Sequence, residues 1–123
     1  MRFAALAFGL AVAAAMPAFA ADAPAAPVRI QASEAAQHVG ETVTVVGVLT
    51  NVHKTPRKAV LWDIGGTYPA NPFTVYVNRN DNDVVPDVSP LIGKTIAVTG
   101  IIKLYQNKPE INVTNPKQVG VAQ

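Results

Sequence analysis

The sequence predicts a small all-β domain: a five-stranded barrel with a short N-terminal helix and a capping segment between its third and fourth strands. Three observations predict it. From Val28 onward Val and Ile total 24 against 4 Leu, and branching at Cβ suits a pleated strand better than a helix. Apolar and polar residues alternate over short runs divided by turn residues. Five short strands in about 75 residues are too few for a large sandwich, whereas closing into a barrel removes exposed edges.

Residues 1–20 stand apart from this pattern. They hold 17 hydrophobic residues and one charge, Arg2. Arg2 forms a positive n-region, an apolar run follows, and Ala18-Phe19-Ala20 fits a signal-peptidase site. The apolar run is shorter than the roughly 20 residues needed to span a bilayer, and Pro17 breaks it. The expectation is therefore a signal peptide over 1–20, cleaved after Ala20, and a periplasmic or secreted protein with no transmembrane segment left. Without the leader, 9 basic residues face 8 acidic ones, too even a balance to hold nucleic acid by bulk charge. The chain has no Cys, so packing alone holds the core. Residues 21–28 are rich in Ala and Pro and read as a flexible tether. Residues 29–121 form the domain.

Within it, residues 33–40 read as a short helix that Ser33 caps and Gly40 stops. Strand one covers 42–49, with a bulge or sharp coil near Val45-Val46-Gly47. A loop at 50–58 leads to strand two, 59–64, with Val60, Trp62 and Ile64 on one face. Strand three is 73–77, with Phe73, Val75 and Val77 inward and Thr74 and Tyr76 outward. Residues 78–94 are polar, then punctuated by Pro, and long enough to cover one barrel end. Strand four is 95–104, with Ile96, Val98, Ile102 and Leu104 inward and Gly100 on the same face. Asn107-Lys108 turns the chain into strand five, 110–114, with Ile111 and Val113 inward. Three linked strands, a cap and a final hairpin follow the order of an OB-fold.

Several stretches carry a family resemblance. They are Glu34-Ala35-Ala36-Gln37-His38-Val39-Gly40-Glu41, Thr44-Val45-Val46-Gly47-Val48, and Gly66-Thr67-Tyr68-Pro69 with Phe73-Thr74-Val75. Gly93-Lys94-Thr95-Ile96-Ala97-Val98-Thr99-Gly100, Tyr105-Gln106-Asn107-Lys108-Pro109-Glu110-Ile111 and Pro116-Lys117-Gln118-Val119 complete the set. In these the chain resembles small secreted bacterial OB-fold proteins of the nucleic-acid-binding class, close to the anticodon-binding and helicase type. The resemblance implies a pair of cysteines where this chain has Val46 and Ala97. Losing both together fits strands one and four being neighbours, with the two positions in contact.

An OB-fold binds ligands on the outside of strands two and three, flanked by the loops after strands one and four. Here those loops carry His53, Lys54, Arg57, Lys58 and Lys108, cations that would converge on one cleft and release counterions from a polyanion. The plainer reading is a solvated basic loop. Tyr68, Tyr76 and Tyr105 supply stacking surfaces, and Lys103 adds a cation beside them. Trp62 belongs to the core. Asp63 points outward onto the ligand face, where it opposes phosphate and suits a sugar hydroxyl or a cationic partner. The expected ligand-binding residues are thus Lys54, Arg57, Lys58, Tyr68, Tyr76, Lys103, Tyr105 and Lys108. Single-stranded nucleic acid is the leading partner, and an envelope protein or oligosaccharide is the alternative.

No chemistry-bearing motif competes with binding. Asn80-Asp81-Asn82-Asp83 with Asp87 lacks the Gly and distal Glu of a calcium loop. His38 and His53 form no zinc pattern, and Ser33 and Ser89 lie in no nucleophile elbow. Gly65-Gly66 opens no helix and so makes no phosphate loop. The expectation is a non-enzymatic module with no metal or cofactor.

Overall fold

The computed structural model describes residues 26–122. The expected leader, and the tether up to residue 25, lie outside the described residues. The described residues are mostly β, with eight strands among them: β1 (Val28–Gln31), β2 (Thr42–Lys54), β3 (Val60–Ile64), β4 (Phe73–Val77), β5 (Thr95–Ile101), β6 (Lys103–Tyr105), β7 (Lys108–Asn112) and β8 (Val119–Val121). They form one sheet in the order β6-β7-β4-β3-β2-β5-β8, with β1 added beside β2. The pairs β1/β2 and β4/β7 are parallel and the others antiparallel. No helix among the described residues is long and apolar enough to cross a membrane.

The strand count and the closure both differ from expectation, for identifiable reasons. The expected fourth strand breaks at Ile102. Its N–H donates to Glu41 O at 3.1 Å and its carbonyl accepts from Gly40 N at 2.8 Å, so the chain leaves the β5 track there. Beyond the break, β6 pairs only with β7, and Leu104, expected inward, is 52% exposed on that edge strand. Short edge strands β1 and β8 add two more. The hydrogen-bonded path is therefore open, not a closed five-stranded cylinder. Its ends still approach each other. Only Ile102 separates β5 from β6, and a Cβ on Gly100 of β5 would stand 2.7 Å from Ile111 Cγ2 of β7.

One side chain spans that gap. The Gln118 amide donates to Thr99 O on β5 at 2.9 Å and to Asn112 O at the end of β7 at 3.2 Å. Its Oε1 accepts from the backbone N–H groups of Thr114 and Asn115 at 2.8 and 3.1 Å. A single residue thus supplies backbone-like bonds where no ladder exists.

β2 runs five residues past its expected end because its second half finds a partner. Residues 42–48 pair with β5, and after an irregularity between Leu49 and Asn51, residues 51–54 pair with β3. The bend needs Gly47, where a Cβ would lie 2.7 Å from Ile64 Cγ2 and 3.0 Å from Ala32 Cβ. The expected loop shrinks to a tight turn, with Thr55 N bonded to Ala59 O at 2.8 Å and Lys58 at a φ of 70°.

The N-terminal helix is a 3₁₀ segment, Ala32–His38, capped by Gln31 and not by Ser33. Gln31 N donates to Glu34 Oε1 at 2.8 Å. Ala32 and Ala35 are both buried, a three-residue spacing that matches three residues per turn. The connection at 78–94 holds two short 3₁₀ turns, Arg79–Asp81 and Ser89–Leu91. It covers the core with Val85 and Val88, both buried. Its polar residues cap these turns: Asn78 Oδ1 accepts from Asn80 N, and Asp87 Oδ1 accepts from Ser89 N and Oγ.

The core follows the predicted alternation. Trp62, Ile64, Phe73, Val75, Ile96, Val98, Ile111 and Val113 are each at most 1% exposed. Val46 lies directly opposite Ala97. The hydrogen bonds at Leu49–Lys94 and Glu41–Ile102 set the ladder phase so that 46/97 is a non-hydrogen-bonded pair, the closer of the two kinds.

Two outcomes follow. Val46→Cys with Ala97→Cys should oxidise to a disulfide without rearrangement and raise stability by about 2–4 kcal/mol, read by thiol titration and urea melts; a slipped register would leave both thiols free. Gln118→Ala should cost about 1–3 kcal/mol, the penalty for stranding its partners, and should speed amide exchange in β5 and β7 before the rest of the sheet.

Candidate functional site

The outer face of β3 and β4 carries two rows set by register. Asn51, Asp63, Thr74, Glu110 and Lys103 occupy successive strands of the first row. His53, Leu61, Tyr76 and Asn112 form the second. At about 3.3 Å per residue, β3 gives this face a length of about 13 Å. The β2–β3 turn bounds one end. The 65–72 loop and the β6–β7 turn bound the other.

The expected site residues divide between these ends and do not gather in one cleft. Lys54, Arg57 and Lys58 are exposed at the β2–β3 turn, and none is in an ion pair among the described residues. Tyr68 and Tyr105, 65% and 61% exposed, stand at the opposite end. Tyr76 is half-buried between them, and Lys103 is exposed beside Glu110.

Lys108 departs furthest from its expected role. Its Nζ donates to Pro69 O at 2.8 Å, Asn71 O at 2.6 Å and Asn71 Oδ1 at 3.2 Å. Three acceptors match the three ammonium protons. The charge ties the 65–72 loop to the β6–β7 turn, with Nζ 6.0 Å from the Tyr68 ring centre. Lys108 therefore holds Tyr68 and Tyr105 at one end of the face instead of offering a free cation.

Asp63 also needs correction. It shares the face with Tyr76, yet it is 1% exposed and presents no charge to solvent. Its Oδ1 lies 3.7 Å from His53 Nε2, too far for a hydrogen bond. Oδ2 and His53 Nε2 are both buried with no partner among the described residues. Thr74, expected outward, is likewise buried, with Oγ1 accepting from Asn71 Nδ2 at 2.9 Å. Sequence reading overlooked Asn71. Its signal was an Asn in the turn two residues ahead of a strand, where a side-chain amide can bond the chain just beyond; here Nδ2 also reaches Phe73 O at 2.8 Å.

Glu110 is the acidic group the face does present, half-buried in the first row. Burial pushes its carboxyl above the usual range, and Lys103 pulls it back by a lesser amount.

Comparison with known proteins locates this geometry among solved folds. No known family profile matches the sequence, and no curated protein does. Among 57 matching solved chains is a protein assigned as an aspartyl-tRNA synthetase of Leishmania major Friedlin. The two share 9% identity at a TM-score of 0.51, over 81% of this chain and 21% of that one. This chain thus corresponds to about one fifth of the matched protein, and the likeness is one of fold.

Ionising Glu110 opposes folding, because its folded-state pKa is raised. The penalty is complete above that raised value and fades as pH falls toward the ordinary 4.5. Glu110→Gln should be the more stable protein at pH 7, with the gap closing below about pH 4.5 in urea melts run across pH.

Proposed function

We propose that this chain is an exported OB-fold module that binds single-stranded nucleic acid across the outer face of β3 and β4 and does not transform it. The topology supports the OB reading. A long bent strand serves two ladders, β4 and β7 run parallel, and β5 flanks the long strand from the other side. The β5–β6 run then counts as one interrupted strand of the basic five, and β1 and β8 are additions. The fold likeness to a protein named for aspartyl-tRNA synthesis agrees with a nucleic-acid ligand. Export rests on the leader at 1–20.

One observation carries the ligand. Lys54, Arg57 and Lys58, in no ion pair among the described residues, stand at one end of the face, and exposed Tyr68 and Tyr105 at the other. A single strand needs cations along its phosphates and π-faces under its bases, and a path about 13 Å long joins the two. Burial of Asp63 keeps its carboxyl from direct contact with a bound phosphate. The alternative, an envelope protein or oligosaccharide, draws on Glu110, which stands on β7 beside the β6 edge of the face.

Anisotropy of a labelled single-stranded oligonucleotide, titrated with the purified protein at several salt concentrations, separates the two. Nucleic-acid binding should weaken steeply with salt. Replacing Lys54, Arg57 and Lys58 with Gln should flatten the log–log slope by about 2, at roughly 0.7 per lost phosphate contact. Tyr105→Ala should lower affinity by about 1–3 kcal/mol per lost stack with little change in slope. An unchanged slope in the triple variant defeats the site, and salt-insensitive glycan binding favours the alternative.

A further inference from the structure

A concavity adjoins the β2–β3 turn end of the β3–β4 face, between that turn and residues 82–89, with His53 of the second row in its wall. It is a half-open cleft of about 410 Å³, within the usual range for small-molecule sites. Asn82 and residues 85–89 of the 78–94 connection form one of its walls. Val52 and Val60, partly exposed, are the apolar side chains it opens onto, and Trp62, Val85 and Val88 are buried directly behind them. The rim is charged on both sides, with Lys54 on the strand side and Asp87 on the connection side. These two form no ion pair with each other or with any other described residue. Asp87 is firmly ionised, its carboxylate held below the usual range by the Ser89 backbone N–H and then by the Ser89 hydroxyl.

An apolar floor beneath two separated and opposite charges selects its occupant by complementarity. A purely apolar guest leaves both charges unused, a simple anion meets Asp87, and a simple cation meets Lys54. We propose that this cleft binds a small zwitterion with an apolar body, a free amino acid bearing a branched or aromatic side chain. The carboxylate meets Lys54, the ammonium meets Asp87, and the side chain rests on Val52 and Val60. This site stands independently of the nucleic-acid reading, although Lys54 borders both.

Trp62 is the only Trp in the chain and lies just behind Val52 and Val60, so a change in its emission reports a guest through the side chains that cover it. The purified full chain is titrated with L-leucine and L-phenylalanine, then with N-acetylphenylalanine and phenylalanine amide, which lack one charge each. Saturable change with the free amino acids is expected, with each blocked analogue weaker by about three- to fivefold, the scale of one exposed ion pair. Asp87→Asn keeps an oxygen to cap Ser89 and should weaken phenylalanine binding by a similar factor, whereas the anionic N-acetyl analogue, relieved of the Asp87 charge, should bind no more weakly than before. Amide shifts on titration should centre on Val52, Val60, Val85 and Val88. Blocked analogues binding as well as the free amino acids, or no saturable response in either emission or amide shifts, would overturn the proposal. Oligonucleotide binding that fails while phenylalanine binding persists defeats only the earlier reading.

Discussion

β2 has to serve two ladders with one backbone. Its first half holds β5 on one edge and β1 on the other, and its second half holds β3. A flat strand cannot do this. The turn between halves is made where Gly47 admits Ile64 and Ala32 within van der Waals range, and where the register shifts at Thr50. Thr50 Oγ1 then donates to Asp63 O and Gly66 O, at 3.0 and 2.6 Å, securing the bend to the end of β3. Everything that forms the outer face is hung from this bent strand. If it straightened, β3 and β4 would move away from β5, and the core between them would open.

Much of this was legible from residue order. Phe73, Val75 and Val77 alternate cleanly, and all three are buried. Ile96, Val98, Ile111 and Val113 behave likewise, because period-two alternation is a local property of a half-buried strand. Trp62 was assigned to the core from its neighbours Val60 and Ile64. The contact of Val46 with Ala97 followed from a family resemblance and matches the register found. What escaped was long-range. Nothing near Ile102 signals that its backbone bonds Gly40 and Glu41, some sixty residues away in the chain. Val28–Gln31 and Val119–Val121 are too short to show a period, and they become strands only because β2 and β5 offer free edges. Gln118 looks like any surface glutamine until two strand ends are brought within reach of its amide.

The candidate face illustrates the same division. Sequence located its charged and aromatic residues at surface turns, and Lys54, Arg57, Lys58, Tyr68 and Tyr105 are exposed there. It could not tell a free cation from a bonded one. Lys108 has the composition of a ligand contact, but three carbonyl-type oxygens reach its ammonium first. Asp63 has the alternation of an outward residue, but outward on a coiled sheet is not the same as solvated. The distinction rests on what the strands across the face bring with them, and that is set by curvature.

The strands at the margins are brief: β6 and β8 have three residues each and β1 four. A neighbouring molecule that tried to lengthen the sheet would find only a few unused peptide groups on any of them, and Arg29 on β1 and Lys103 on β6 add like charges. Such stubs are poor templates for intermolecular strand addition. In a protein this rich in Val and Ile, short margins and like charges together disfavour strand-by-strand growth onto a second copy.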